Sequence, residues 1–430
     1  MRRTILEPLR WLGGFARVMV IHEDGAPQTL FQITNNIHIQ ETCLGRPVEE
    51  LPRILSILSP AHHLVSALTL DSVFNVTPTP MAVNIRNALS ETLFLIHHMR
   101  KLYFLFTSES NPLDDFTLSQ RNTNQPSHER ELMDQIMRHV VLAQEASRIL
   151  GGRSDHPVSI VPGGVSRFLK EPYYDRLDEI AAKLASFAVK IGGWVSGNGF
   201  GRQLQNLEIM PINSLSMSPH NGEIELRESG GKIIDTFRPE LIFEKIAFSV
   251  EPWTYQPFSF VKATGWNAPD IDNVAGSYFV GPLARLRSNI QSNTPVDPEL
   301  SVFSTCGSTD VEAPTISSAF GALVAELIGS VSRIRRLFRR DALTGPSIRS
   351  IPGEMKQSGF AAMESPEGLI AHHYKVDGRG IVEEIQILDA ATQNNALKCM
   401  IAQKVVKEST DFDRDPKAVK LRIEKALLPF

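Results

Sequence analysis

Histidine is the residue type in this chain that most readily suggests chemistry, because it occurs in adjacent pairs. The pairs are His62-His63, His97-His98 and His372-His373. Imidazole nitrogens bind metals and transfer protons near neutral pH. Adjacent residues of a helix point to different faces, so a pair does not form a chelate by itself. We therefore expect these histidines to pack or to form hydrogen bonds, with His62 as the best candidate for a ligand.

Cysteine is the other residue type that could hold a metal, and the chain has three: Cys43, Cys306 and Cys399. They are far apart in sequence and odd in number, which argues against a disulfide framework and against a C-x-x-C metal site. We expect reduced thiols in a cytoplasmic protein.

The Gly-x-Gly-x-Gly string at 197–201 follows a helical pattern, so it predicts a flexible loop rather than a dinucleotide site.

The composition is that of a globular protein with ample material for a core, since 42% of the 430 residues are hydrophobic and 21% are charged. The net charge of -4 gives no overall attraction for nucleic acid or anionic lipid. No apolar run is long enough to span a bilayer, so we expect no membrane span.

The basic run at 333–340 is best explained as a solvated helix end, with docking of an acidic protein surface as the alternative.

The elements that must position these residues show helical patterns in some regions and extended patterns in others. Apolar residues at helical spacing predict helices from Pro80 to Phe106, from Leu132 to Gly151, from Leu177 to Gly192, and from Ser317 to Arg340. Short extended runs around turn residues predict antiparallel hairpins at 16–33 and 369–388, and small β elements on both sides of a turn at 224–235. Amphipathic helices of this length usually pack into a bundle.

Several motifs of the chain follow the order found in one known family. Residues 45–64, GRPVEELPRILSILSPAHHL, resemble a segment of the nickel-iron hydrogenase large subunit in which GRP-x-E runs into PRI, a C-x-x-C pair and a nearby His. Four further segments resemble family motifs: GFARV at 14–18, GGRSDHPVSIVPGGV at 151–165, YFVGPLARL at 278–286 and ATQNNA at 391–396. By this ordered set the chain is identified as a degenerate member of that family, of the cytosolic type.

The resemblance implies an α+β fold that is mainly helical, with a central helical bundle and peripheral antiparallel β hairpins. It also implies one large-subunit-like unit over residues 1–430. Within that unit we expect an N-terminal hairpin region (1–50), a first part of the bundle (51–200), an irregular and β region (201–312), and a second part of the bundle with a hairpin (313–430).

The family's metal ligands are the first point at which the chain departs from this pattern. Leu55 and Leu58 fall where the resemblance places the first cysteine pair, and leucine has no lone pair to offer a metal. The sequence ends LRIEKALLPF, before the place where the family's D-P-C-x-x-C-x-x-H tail would begin. His62 is retained beside the lost cysteines.

Other positions with a function in the family also differ here. Gly13 falls where the resemblance places a proton-relaying Glu, and Gln40 falls where it places a magnesium-binding Glu. Glu367 falls where it places an Arg beside the iron ligands, so the charge is inverted. We therefore expect no catalytic residue, no metal and no hydrogen turnover in this chain.

The function that this resemblance implies is a non-catalytic structural subunit, which docks an iron-sulfur small subunit in an electron-transfer complex. We expect no cofactor in this chain and iron-sulfur clusters in the partner. The alternative is a redox enzyme subunit that binds a different ligand or quinone in the vacated cavity, with His62, Gln40 and Glu367 as polar candidates. A protein without a role is disfavoured, because the helix and turn patterns are intact.

Overall fold

The structure is a computed structural model of the chain. It describes residues 2–9, 16–22, 27–34, 39–106, 127–198, 207–291, 314–409, 412 and 414–430. Gly13, Cys306 and the glycine string beyond Asn198 lie outside these residues, so the predictions made for them have no structural counterpart here.

Helices carry most of the core. They are α1 (Ile39–Cys43), α2 (Leu51–Leu55), α3 (Pro60–Val73), α4 (Pro80–Phe106), α5 (Ser127–Gly151), α6 (Glu171–Asn198), α7 (Ile242–Lys245), α8 (Pro282–Gln291), α9 (Ile316–Leu337), α10 (Arg340–Leu343), α11 (Ala390–Gln393), α12 (Asn395–Lys407) and α13 (Pro416–Leu427). In the described part of the chain, no helix is long and apolar enough to cross a membrane.

The strands form small sheets around these helices. They are β1 (Arg2–Leu9), β2 (Ala16–His22), β3 (Gln28–Ile33), β4 (Ile160–Val161), β5 (Gly164–Val165), β6 (Asn213–Met217), β7 (Ile224–Arg227), β8 (Ile233–Phe237), β9 (Ile246–Ser249), β10 (Phe258–Val261), β11 (Tyr278–Phe279), β12 (Ser358–Ser365), β13 (Gly368–Val376) and β14 (Val382–Leu388). The sheet orders are β1-β2-β3, β4-β5, β11-β6-β7-β8, β10-β9 and β12-β13-β14. All pairs are antiparallel except β11 with β6.

The four long helices pack around one hydrophobic core. Helix α4 lies against α5 and α9, and α6 also contacts both of these helices. Each buries an apolar face, as Leu89, Ile136, Leu177 and Leu323 illustrate with no exposed surface. Burial of each such side chain contributes roughly 1.5 to 3 kcal/mol. Helix α4 is part of this bundle, and α3 and the β12-β13 turn lie beside it. Polar groups of the site come from these three elements.

Three of the differences between the predicted and the observed elements concern α6, α9 and β12. Helix α6 continues past Gly192 to Asn198. Gly192 faces α9 within the helix, where a Cβ would lie 3.3 Å from Ile328 Cδ1. Helix α9 ends at Leu337, three residues before the predicted end at Arg340. Strand β12 was not predicted, since SGFAAMES has neither strong alternation nor β-branched residues; it exists because β13 pairs with it and α3 covers it.

Candidate functional site

A cleft opens between the start of α3, the middle of α4 and the turn that joins β12 to β13. Its volume is about 520 Å³, with its open mouth included. The walls are mostly apolar and come from Pro60, Ala61, Leu93, Ile96 and Pro366. A cleft of this size and lining is typical of small-molecule sites, which are largely apolar with a few placed polar groups.

The polar groups of the cleft form two pairs at different depths. Arg100 Nη2 donates to Asp155 Oδ1 at 3.0 Å, and these side chains are 45% and 47% exposed. His97 Nε2 lies 3.2 Å from Glu367 Oε1, and these side chains are 21% and 24% exposed. The pair His97-Glu367 is therefore the more enclosed one, and Glu367 is the one predicted site residue that lines the cleft.

Two buried lysines stand close to Glu367. Lys101 lies one helical turn after His97 on α4, and Lys398 lies on α12; both are nearly inaccessible. Burial lowers the pKa of each lysine to about 8, while the negative charge of Glu367 opposes that shift. Burial would raise the pKa of Glu367, but the His97 hydrogen bond and the nearby cations outweigh it and hold the value at about 2. Glu367 is therefore an ionised carboxylate.

A second polar cluster continues inward from His97. His98 Nε2 lies 3.0 Å from Glu326 Oε2, and Arg285 Nη2 donates to the same carboxylate oxygen at 2.8 Å. Arg285 Nη1 also donates to Glu364 Oε2 at 2.6 Å. Burial lowers the pKa of both histidines of the pair, that of His97 to about 4, so both imidazoles are neutral at pH 7. One guanidinium, Arg285, thus serves two carboxylates, and burial raises the pKa of one of them, Glu364, above its ordinary value.

His62 does not line the cleft but begins a separate buried chain of hydrogen bonds. Its Nε2 lies 3.4 Å from Asp389 Oδ1, and its Nδ1 lies 2.9 Å from His372 Nε2. His372 Nδ1 lies 2.6 Å from Tyr374 Oη, which in turn lies 2.8 Å from Ser66 Oγ. Hydrogen bonding, the role expected for these histidines, is the role that this geometry gives to His62 and His372.

The remaining predicted positions lie elsewhere. Leu55 is fully buried in an apolar cluster with Cys43, Val48 and Tyr374, and Leu58 packs on the edge of that cluster. Neither leucine lines the cleft, where Ser59 is the nearest residue in sequence. Gln40 is an exposed residue of α1. The structure thus brings Glu367 to the cleft and places the two leucines, His62 and Gln40 outside its lining.

Among the described residues that line the cleft there is no cysteine. Cys43 and Cys399 are buried in different apolar clusters, and burial raises the pKa of their thiols to about 11 and about 12. Among the described residues, no group of three or more His, Cys, Asp or Glu side chains could hold a metal ion. These residues do not fit a nickel-iron group held by cysteines.

Sequence reasoning missed several residues of the site. His97 was recognised as part of a pair that was expected to pack or to form hydrogen bonds, but not as a residue of the cleft, while Lys101, Lys398 and Asp389 were not singled out. Lys101 was detectable, because a lysine that follows a long apolar helical run must either reach solvent or find a buried anion. Asp389 and Lys398 were not, since their meeting depends on how α12 folds back against β13.

Known proteins resemble this chain over most of its length, although no family model matches it. It is 27% identical to an F420-non-reducing hydrogenase iron-sulfur subunit of Archaeoglobus profundus, over 92% of this chain and 86% of that protein. It is 25% identical to the F420-non-reducing hydrogenase vhc subunit of Methanococcus voltae, over 95% of this chain and 88% of that one. A structure of an NAD+-reducing [NiFe]-hydrogenase in the H2-reduced state matches with a TM-score of 0.82 and 22% identity, over 100% of this chain and 97% of that one.

These similarities establish the fold and correct one prediction. The chain has the fold of a nickel-iron hydrogenase large subunit, so the predicted α+β class with a helical bundle and peripheral hairpins is confirmed. The prediction that the chain carries no cofactor of its own is wrong by this comparison, because the similar proteins are hydrogenases and the matching structure is that of a [NiFe]-hydrogenase. The error was to treat the loss of two thiolates as the loss of every bound group, whereas the cleft retains carboxylate, imidazole and hydroxyl groups.

Proposed function

We propose that this chain is a hydrogenase large-subunit-like subunit that docks an iron-sulfur small subunit in an electron-transfer complex and does not itself turn over hydrogen. The observation that carries the proposal is the content of the cleft. Its enclosed polar pair is His97-Glu367, with buried Lys101 and Lys398 nearby, and no thiolate is among its lining residues.

The chemistry of that pair argues against hydrogen turnover by a thiolate-bound nickel site. Nickel and iron in such sites need soft anionic sulfur, whereas carboxylate and imidazole suit harder or borderline ions. A group held in this cleft would meet the Glu367 carboxylate, His97 and the Ser59 hydroxyl. Glu367 is also neutralised by cations within the protein, so it does not present an uncompensated charge to a ligand.

The docking face that we propose surrounds the β4-β5 hairpin. Arg349 forms a bridge with Gly164, and Ser350 N–H donates to Gly163 O at 2.9 Å, so segment 348–351 runs beside the hairpin. Three apolar side chains around it are left open to solvent: Val158 is 41% exposed, Phe168 is 52% exposed and Ile351 is 92% exposed. Large exposed apolar side chains grouped in one place are typical of protein interfaces.

Internal hydrogen bonds make this hairpin rigid enough to serve as a docking surface. Arg86 donates to Val161 O at 2.7 Å and to Gly164 O at 3.1 Å, while Asp71 Oδ1 accepts from Gly163 N–H at 2.7 Å. Arg86 and Asp71 are themselves a buried ion pair between α4 and α3. A pre-ordered surface lowers the entropy lost on binding.

The test is anaerobic affinity purification from the native host, followed by mass spectrometry and iron analysis. The tagged chain is expected to bring down an iron-sulfur protein in stoichiometric amount. The double variant Phe168→Glu, Ile351→Glu should lose it, because two acids would enter an apolar interface. Val189→Glu is the matched control, since Val189 is 77% exposed on α6 and lies roughly 27 Å along that helix from its start. Recovery of the chain alone, or equal loss of partner in the control, would contradict the proposal.

A second candidate function rests on the cleft itself, which is large enough for a small ligand. In that case the chain is a redox subunit that binds a different ligand, such as a quinone, between the apolar walls and Glu367. The discriminating measurement is calorimetric titration of the purified complex with a soluble quinone. Binding that is weakened by Glu367→Gln, with docking intact, would favour this candidate over a purely structural subunit.

A further inference from the structure

The polar side chains of the cleft fall into two groups, those paired within the protein and those with an open hydrogen-bond position. Asp155 belongs to the first group, since its Oδ1 accepts from Arg100 at 3.0 Å and its Oδ2 accepts from Ser154 Oγ at 2.9 Å. Ser365 Oγ likewise donates to Gly368 O at 2.7 Å. These hydrogen bonds hold the walls of the cleft together.

Glu367 and Ser59 belong to the second group. Oε1 of Glu367 lies 3.2 Å from His97 Nε2, whereas its Oε2 has no hydrogen-bond partner among the described residues. Ser59 occupies the N-cap position of α3, yet its side chain forms no capping hydrogen bond. Both residues line the cleft, so a carboxylate oxygen and a hydroxyl are available there to a bound molecule.

The charges around Glu367 determine which class of ligand it can accept. The carboxylate is ionised, so it accepts hydrogen bonds and donates none. Lys101 and Lys398 face it and oppose its charge. A cationic ligand would lose its hydration without finding an uncompensated negative charge, and an anionic ligand would be repelled by the carboxylate. A neutral ligand with a hydrogen-bond donor fits this acceptor best.

We propose that the cleft binds a neutral, largely apolar molecule with at least one hydroxyl or N–H group, and that Glu367 accepts the hydrogen bond from that group. The inference rests on the second candidate function, a ligand-binding cleft, and names the chemistry of its ligand. The apolar part of the molecule packs against Leu93, Ile96 and Pro366, and the Ser59 hydroxyl can donate to a ligand oxygen. For a quinone, this favours the reduced form, which has two hydroxyl donors, over the oxidised form, which has only acceptors.

The experiment compares 4-ethylphenol with its methyl ether, 4-ethylanisole, by NMR on the full chain with labelled leucine and isoleucine methyl groups. The two probes share their ring and ethyl group and differ in the donor. The phenol should shift the methyl signals of Leu93 and Ile96, which locates it in the cleft. It should bind at least about tenfold more tightly than the ether, because a hydrogen bond to a charged acceptor is a strong one. 4-Ethylbenzylamine, a cation at neutral pH, should bind more weakly than the phenol.

A variant of the acceptor gives a second readout. Glu367→Gln should lower the affinity ratio of phenol to ether to about threefold or less, because an amide oxygen is a neutral acceptor. Glu91→Gln is the matched control, since Glu91 is a partly buried carboxylate of α4 that pairs with Arg333 and does not line the cleft. It should leave the ratio unchanged. The ratio compares two ligands in one protein, so a moderate loss of stability in a variant does not alter it.

The inference is overturned if the phenol and the ether bind equally, if the amine binds more tightly than the phenol, or if Glu367→Gln leaves the ratio unchanged. Equal binding of phenol and ether in the cleft would leave the second candidate function intact. Failure of every probe to bind would overturn that candidate together with the inference. Docking of an iron-sulfur partner is measured separately by copurification, so none of these results bears on it.

Discussion

Replacement of Arg86 by methionine tests the buried ion pair that holds the β4-β5 hairpin. Arg86 is 6% exposed and donates to both carboxylate oxygens of Asp71, to Val161 O and to Gly164 O. Methionine fills much of the same volume but supplies none of these donors. The change leaves the buried Asp71 carboxylate, 8% exposed, without its cation.

The expected loss of unfolding free energy follows from that uncompensated charge. Removal of one partner of a buried ion pair typically costs about 3 to 5 kcal/mol, and the two freed carbonyl oxygens add to the cost. A loss of this size is a large fraction of the roughly 5 to 15 kcal/mol that stabilises a typical domain. The double variant Asp71→Asn, Arg86→Met should be less destabilised than the sum of the single changes, because no buried charge is left.

Urea unfolding followed by circular dichroism measures these differences, and Arg333→Met is the matched control. Arg333 also pairs with a carboxylate of α4, Glu91, but its side chain is 40% exposed. Such a pair contributes less than about 1 kcal/mol. If Arg86→Met costs no more than Arg333→Met, the ion pair does not fix the hairpin and the argument for a pre-ordered docking face is refuted.

The cleft and its surroundings give three further expectations. Stability should fall as the pH drops from 6.5 towards about 4, because unfolded chains take up a proton on His97 in this range and the native protein does not. In a pH titration of unfolding, His97→Gln should make this fall less steep, while His98 and His372, whose pKa values are also lowered by burial, keep the rest of it. Leu55→Ala should cost about 2 to 5 kcal/mol in urea unfolding, whereas Ile57→Ala, at an exposed position, should cost less than about 0.5 kcal/mol. Cysteines introduced at Leu55 and Leu58 should not produce hydrogen-dependent viologen reduction, and clear turnover by that variant would show that thiolates alone were missing.

Local sequence patterns were sufficient to predict the elements that form the frame. Pro80 begins α4 as expected, and Thr79 Oγ1 accepts from Ala82 N–H at 3.3 Å as an N-cap does. The strands β2, β3, β13 and β14 also follow from alternation and turn residues. Helix starts and hairpins of this kind depend on residues that lie close together in the sequence, so they can be predicted from local sequence patterns.

Contacts between distant segments were not predictable in the same way. Strand β12 depends on β13 and α3, which lie elsewhere in the sequence. The pairing of His62 with His372 joins residues 310 positions apart. The periodicity of a sequence can indicate which positions of a helix or strand are buried. It contains no information about which buried polar side chains meet when distant segments pack together.

The two leucines at the predicted cysteine positions lie away from the cleft. Leu55 and Leu58 were assigned to cysteine positions by their place in a motif, yet both pack in a cluster that does not border the cleft. Ser59, Pro60 and Ala61 line the cleft instead. A motif fixes the order of residues along the chain, whereas the direction of each side chain depends on where α2 ends and α3 begins.

The central claim is that this chain docks an iron-sulfur partner and does not turn over hydrogen. It is tested most directly by hydrogen-dependent viologen reduction with the complex purified anaerobically from its native host. The account predicts a stoichiometric iron-sulfur protein in the complex and no hydrogen-dependent activity that copurifies with this chain. Viologen reduction that copurifies with the chain, in proportion to its amount, and that is abolished by Glu367→Gln would contradict it.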